Sequence, residues 1–208
     1  MSYTILHIDT SALAGHSVSR KLTAKVVDGL KAAHADSKVI LRDLAINPFP
    51  HLDGLTISAF HTPPEKRDAL LSEAVKLSDQ AVDEIFSADA IVIGAPMYNF
   101  AIPSSLKAWI DHIVRAGRTF QYGGSGPVGL VPSTKKVILV SARGGVYSDG
   151  PMKSLDYQET YLKSVLGFIG LADVTFVRAE GVAKGPDGLN AAMQSAEAQV
   201  SEALRHAA

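Results

Sequence analysis

Ala90-Ile-Val-Ile-Gly-Ala-Pro-Met-Tyr-Asn-Phe100-Ala-Ile-Pro-Ser-Ser-Leu-Lys-Ala-Trp-Ile110-Asp-His-Ile-Val-Arg-Ala116 changes its hydrophobic period halfway, and that change decides the fold. Residues 90–94 are a nearly unbroken apolar run, the pattern of a strand buried on both faces. Beyond Pro103, the residues Leu106, Trp109, Ile110, Ile113 and Val114 recur at i, i+3, i+4, i+7 and i+8 and form one helical stripe. Pro103 suits a first helical turn and Gly117 a C-terminal stop. Between strand and helix, Met97, Tyr98, Asn99 and Phe100 put large, soft side chains where a plain turn would favour small polar ones.

The same alternation runs outward in both directions. Strands are predicted at 3–8, 38–42, 90–94, 136–140 and 173–177, and helices at 17–33, 67–86, 103–116, 154–167 and 188–206. Successive βα units with right-handed crossovers require a parallel sheet covered on both faces. The expectation is therefore an α/β, flavodoxin-like, three-layer doubly wound fold. Its five-stranded parallel sheet has the order 2-1-3-4-5 and helices on both faces, all within a single domain over 1–208. Residues 44–66, with four prolines, and the glycine-rich 120–134 fall outside this plan. Connections of that length are usually lids, binding loops or partner surfaces, and the second could hold a short hairpin.

Twenty Lys and Arg against 21 Asp and Glu, without blocks, leave no electrostatic footprint for nucleic acid or an acidic membrane. The absence of cysteine excludes disulfides, thiolate nucleophiles and cysteine-ligated metal centres. With no signal-peptide pattern at the start and no apolar run of about 20 residues, the expected setting is cytoplasmic. No paired histidine spacing supports a metal site, and G-x-S-x-G does not occur. Gly124-Ser-Gly-Pro-Val-Gly129 fits G-x-G-x-x-G by letter but opens no helix, so it reads as a turn. His7 reads as a core or capping residue.

In an open parallel sheet, ligands bind beyond the carboxyl ends of the strands, near the point where strand order reverses. After the first strand, Thr10, Ser11, Ser17 and Ser19 bring four hydroxyls to a helix N-terminus, a ready phosphate site, although Ser17 alone could simply cap the helix. After the third, Met97, Tyr98 and Phe100 can cover an aromatic ligand while Asn99 and backbone amides reach its polar edge; they could equally plug the top of the core. After the fourth, Gly144 and Gly145 allow close backbone approach and Arg143 supplies a fixed cation, though a tight turn also explains the glycines.

Together these loops resemble the FMN-dependent NADH:azoreductase family. The resemblance is carried by Pro96-Met-Tyr-Asn-Phe100, Leu106-Lys, Arg115-Ala-Gly117, Thr119-Phe120 and Tyr122. It continues through Arg143-Gly-Gly145, Gly150-Pro151, Tyr161-Leu162, Leu166-Gly-Phe-Ile-Gly170 and Ala179-Glu-Gly181, and covers nearly the whole chain. It implies one FMN per subunit, its phosphate held by Ser11, Ser17, Val18 and Ser19 and its ring wrapped by Met97, Tyr98, Asn99 and Phe100. Ala142, Arg143, Gly144 and Gly145 would close over the flavin edge. Ala142 departs from the family, which more often has a hydroxyl residue there.

The resemblance further implies a ping-pong transfer of two electrons from NADH or NADPH to quinones and aromatic azo compounds. Hydride would pass at flavin N5, with no catalytic side chain. A homodimer is implied, with Tyr122 and Phe168 packing the substrate pocket and Phe60 walling it from the partner subunit. The alternative is a flavodoxin-type electron carrier, which the near-neutral charge balance disfavours, since such carriers tend to be acidic. A phosphodiester hydrolase, the family's older description, is the other rival.

Overall fold

The computed structural model describes residues 2–124 and 126–207. Five parallel strands, β1 (Thr4–Asp9), β2 (Lys38–Asp43), β3 (Ala90–Pro96), β6 (Lys136–Arg143) and β7 (Val174–Glu180), form one sheet in the order β2-β1-β3-β6-β7. Two short strands, β4 (Phe120–Gly123) and β5 (Gly126–Gly129), make a separate antiparallel hairpin. With those two set aside, the main sheet follows the expected 2-1-3-4-5. The hairpin occupies the stretch that fitted G-x-G-x-x-G, and Ser125 of that motif lies outside the described residues.

Alternate side chains of the strands feed two cores. Leu6, Ile8, Ile91, Ile93, Val137 and Leu139 pack with α3 (Ala69–Ser87), α4 (Ser104–Ile113) and α5 (Tyr157–Phe168). Ile5, Val92, Ile138, Val140 and Val177 pack with α1 (Val18–Ala33) and α6 (Gly185–Ala207). Period-2 alternation within continuous apolar runs puts a hydrophobic residue on each face at every step, so β3 is buried along its whole length.

All five strands run past their predicted ends, β1 and β2 by one residue to Asp9 and Asp43, β3 to Pro96, and β6 and β7 by three residues to Arg143 and Glu180. These extensions carry the polar residues that meet the loops. The helix α2 (Gly54–His61) lies inside the stretch read as aperiodic. Asp53 caps it, accepting from the Thr56 N–H at 2.7 Å, but only Thr56 and Ala59 are buried, so no apolar stripe announces it.

His112 sits on the buried side of α4, its Nε2 3.0 Å from the Pro50 carbonyl and its Nδ1 without a partner among the described residues. Burial is the main cause that holds its pKa below the ordinary histidine value. The unfolded chain thus takes up the proton more readily than the fold does. Stability is complete above about pH 6.5 and declines as pH falls toward the lower folded-state value. His112→Gln keeps an amide donor for Pro50 and removes the titration. Wild type should lose more of its urea midpoint than His112→Gln between about pH 7.5 and about pH 5.5, and equal losses would contradict this.

Candidate functional site

At the carboxyl edge of the sheet, β1 hands over to the loop that opens α1. Ser17 is extended and N-caps the helix, accepting from the Arg20 N–H at 3.3 Å, and its Oγ lies 3.1 Å from that of Ser19. Both hydroxyls are buried, as is Ser11, whose Oγ accepts from the Leu13 N–H at 3.3 Å. Capping and ligand binding are compatible here, because the N–H groups of Val18 and Ser19 have no acceptor among the described residues. Thr10 turns inward instead and donates to the Gly94 carbonyl at 2.7 Å.

Sequence reasoning missed the side chain that holds this loop. Arg20 donates to the Ser11 carbonyl through Nε at 3.1 Å and Nη2 at 2.8 Å, and to both Asp43 oxygens at 2.5 and 2.7 Å. Its Nη1 also lies 3.6 Å from Asp9, which accepts from the Thr23 hydroxyl and has His7 Nε2 3.4 Å away. The Arg20 hydrogen bonds are the largest cause that holds the Asp43 carboxyl below the usual range. Gly94 leaves room for this cluster, since a Cβ there would meet Thr23 Cγ2 at 2.9 Å and Asp9 Oδ1 at 3.0 Å.

The loop after β3 is backbone-strained. Asn99 and Phe100 have φ of 49° and 70°, a region non-glycine residues seldom enter and one found disproportionately at ligand clamps. A tight bridge between Tyr98 and Ala101, with bonds of 3.0 Å each way, enforces the turn, and the Met97 N–H donates to the Ala142 carbonyl at 2.8 Å. Asn99 and Phe100 are left with N–H groups that have no acceptor among the described residues. Tyr98 and Phe100 are exposed rather than plugging the core, and Phe100 meets Tyr147 edge-on at 6.2 Å.

Beyond β6 the carbonyls of Arg143, Gly144 and Gly145 accept from the N–H groups of Val182, Ala183 and Gly181 at 3.1, 3.2 and 2.9 Å. With those carbonyls satisfied, the Gly144 and Gly145 N–H groups have no acceptor among the described residues. The Arg143 side chain corrects its expected role. Its guanidinium is fully buried and paired with Asp156, Glu159 and Glu180, so it is no cation at a ligand edge. Ala142 contributes backbone alone.

Helices of this fold run antiparallel to the strands, so the last turns of α4 and α5 lie toward the opposite edge. Phe60 stacks over Arg115 at 4.0 Å and meets His112, both at the far end of α4. Phe168 ends α5 and packs 4.6 Å from Phe120, which in turn lies 5.5 Å from Tyr122. Within one chain none of Phe60, Tyr122 and Phe168 is brought to the carboxyl-edge cluster. Beside the cluster, an apolar groove of about 620 Å³ lies between α4 and α5, lined by Ile102, Lys107, Tyr157 and Tyr161 among others.

The arrangement joins buried hydroxyls and a helix N-terminus, suited to a phosphate, to two pairs of unpaired amides flanked by exposed aromatics, suited to a planar polar ring. That set of donors fits a flavin mononucleotide. The family model for the flavodoxin-like fold matches residues 3–204. An FMN-dependent NADH:quinone oxidoreductase of Herminiimonas arsenicoxydans is 52% identical over 200 residues, covering 96% of this chain and 98% of that protein. Among solved structures, an azoreductase from Bacillus anthracis str. Sterne is similar at TM-score 0.86 and 32% identity, with 99% of this chain and 98% of that one covered. An FMN-dependent NADH-azoreductase from Bacillus anthracis str. Ames Ancestor, in complex with FMN, is similar at TM-score 0.87 and 27% identity, with 99% of each covered.

Proposed function

This chain belongs to the flavodoxin-like family of FMN-dependent NADH:quinone oxidoreductases and azoreductases, and we propose that it passes two electrons from NADH to quinones and aromatic azo compounds. The observation that carries the reading is the convergence of unpaired N–H groups from three loops, at Val18 and Ser19, Asn99 and Phe100, and Gly144 and Gly145. We assign the phosphate to Ser11, Ser17, Val18 and Ser19, and the ring to Met97 through Phe100 with Ala142, Gly144, Gly145 and the backbone alone of Arg143. FMN, when bound, supplies the two-electron chemistry.

The protein's own groups bind and orient. The α1 N-terminus and its hydroxyls neutralise an anion through fixed dipoles. Amides of Gly144 and Gly145, oriented by their satisfied carbonyls, donate to the polar ring edge and favour negative charge there. Tyr98, Phe100 and Tyr147 provide a planar apolar surface for a flat acceptor, and bulk water can supply protons. A doubly wound single domain in the cytoplasm is part of the proposal, supported by the two cores and the absence of cysteine. Among the described residues no helix is long and apolar enough to cross a membrane, and no group of three or more His, Asp or Glu side chains is placed to hold a metal ion.

A homodimer completes the site in this reading. The groove beside Phe100 offers a second copy an apolar seat, and Tyr122, which is 77% exposed, can reach a flavin only on that copy. Tyr122→Ser should leave FMN binding unchanged while raising the quinone KM about tenfold, as loss of one aromatic anchor does. Steady-state NADH oxidation at several quinone concentrations should give parallel double-reciprocal lines; intersecting lines would contradict the shared-pocket mechanism.

A further inference from the structure

Beneath the 144–148 loop lies a network that no part of the proposed chemistry uses. At its centre, Arg143 is 0% exposed and divides its guanidinium among four partners. Nε donates to Gln158 Oε1 at 3.1 Å, and Nη1 to Asp156 at 2.9 Å and Glu180 at 3.3 Å, while Nη2 pairs with Glu159.

Each partner holds a different piece of the site. Gln158 Nε2 donates to the Ala95 carbonyl at 2.9 Å, just ahead of the Met97 to Phe100 loop. Asp156 caps α5, accepting from the Gln158 and Glu159 N–H groups at 3.1 and 3.0 Å. Glu180 accepts from the Tyr147 and Ser148 N–H groups at 2.7 and 2.9 Å and from the Ser148 hydroxyl. Glu159 accepts from Ser141 Oγ at 2.9 Å and pairs with Arg178 at 2.8 Å. The cage sets two guanidiniums against three carboxylates, so its formal charge is already negative by one.

We propose that Arg143 is a positioning residue that locks the loops after β3 and β6 to one another, and so sets the geometry of the four amides, at Asn99, Phe100, Gly144 and Gly145, that receive the flavin ring. This rests on the functional reading above. A turn built from two glycines has wide conformational freedom, and here the fork beneath it removes that freedom. Lysine cannot substitute, because a single ammonium has no planar fork to meet Gln158 and three carboxylates together. Loss of the guanidinium also leaves uncompensated carboxylates below the flavin edge, which disfavours the added negative charge of the reduced ring. Binding and reduction potential should therefore fall together.

Arg143→Lys, Arg143→Met and Gln158→Met test this through three readouts on the purified holoprotein and on protein stripped of flavin. These are the FMN dissociation constant, the midpoint potential of bound FMN, and hydrogen exchange of the 144–148 amides. Arg143→Lys keeps the charge but loses hydrogen bonds of the fork, so it should bind FMN about tenfold more weakly, with faster exchange in that segment and a more negative midpoint from the displaced amides. Arg143→Met should go further in the same direction. Gln158→Met alters no charge and should reproduce the faster exchange with a few-fold loss of affinity, which decides the matter if Arg143→Met does not fold. Folded Arg143→Lys and Gln158→Met proteins with wild-type affinity, midpoint and exchange would overturn the proposal, even if their urea midpoints fell. A wild-type protein that took up no FMN would sink the functional reading instead, and exchange in the flavin-free proteins would still show whether Arg143 holds the loop.

Discussion

Arg20→Met should bind FMN on the order of 50-fold more weakly than wild type while keeping the fold. Breaking a buried ion pair by removing one partner costs about 3–5 kcal/mol. Arg20 keeps 18% of its side chain exposed, so about 2–3 kcal/mol is the appropriate scale for the lost order of the loop, and where FMN binding must restore that order each 1.4 kcal/mol is about tenfold in affinity. Two losses add. The Ser11 carbonyl is released from its double donor, which lets the phosphate loop drift, and Asp9 and Asp43 lose their guanidinium beneath a site meant for a phosphate. Arg20→Met combined with Asp43→Asn should recover part of the affinity by removing one repelling charge. Titration of the flavin-free proteins, followed by quenching of FMN fluorescence, reads this directly. An Arg20→Met dissociation constant within about threefold of wild type would show that the loop holds its shape without the clamp.

The largest stability effects belong to two glycines far from that site. A Cβ on Gly129 would stand 2.2 Å from the Gly170 nitrogen, and one on Gly170 would stand 2.4 Å from the Val131 oxygen, at a φ of +112°. Both collisions are with backbone that other bonds fix, including the Val131 N–H to Ile169 carbonyl bond at 3.0 Å. Neither side can yield as a flexible side chain would. Gly129→Ala and Gly170→Ala should each destabilise by about 3 kcal/mol or more and lower Tm by roughly 10 °C in a chain of this size. Gly124→Ala, with nothing within 4 Å of its added Cβ, is the control and should stay within about 0.5 kcal/mol. Because the hairpin sits at the opposite edge from the phosphate loop, these proteins should retain FMN affinity at low temperature. A parallel loss of FMN binding would mean that the two ends of the molecule are coupled.

The sheet was legible because its strands are short, continuous apolar runs and its helices carry clean stripes, as 90–94 and Leu106 to Val114 illustrate. Those signals are local, so one sequence shows them. The three loops were legible for the same reason, and hydroxyls at 11, 17 and 19 and glycines at 144 and 145 do reach one edge of the sheet. What stayed hidden is non-local and polar. Arg20 meets Asp43 from 23 residues away, and Gln158 meets Ala95 from 63 away, with no periodicity to connect them. Arg143 reads from the sequence as a fixed cation beside two glycines, and only the extension of β6 and β7 to Arg143 and Glu180 reveals that its side chain points into a cage of carboxylates. Phe60, Tyr122 and Phe168 lie away from the carboxyl-edge cluster of their own chain, and a single sequence carries no signal that says whether a second copy brings them to it.

The central claim is that three loops at the carboxyl edge hold a flavin that NADH can reduce. Its most direct measurement is an anaerobic spectral titration of the purified protein reconstituted with FMN. The expected result is one FMN per chain, visible flavin absorbance bleached by NADH alone, and absorbance restored by a stoichiometric quinone. Protein that takes up no FMN, or a bound flavin that NADH leaves oxidised until a separate reductase is added, would contradict it.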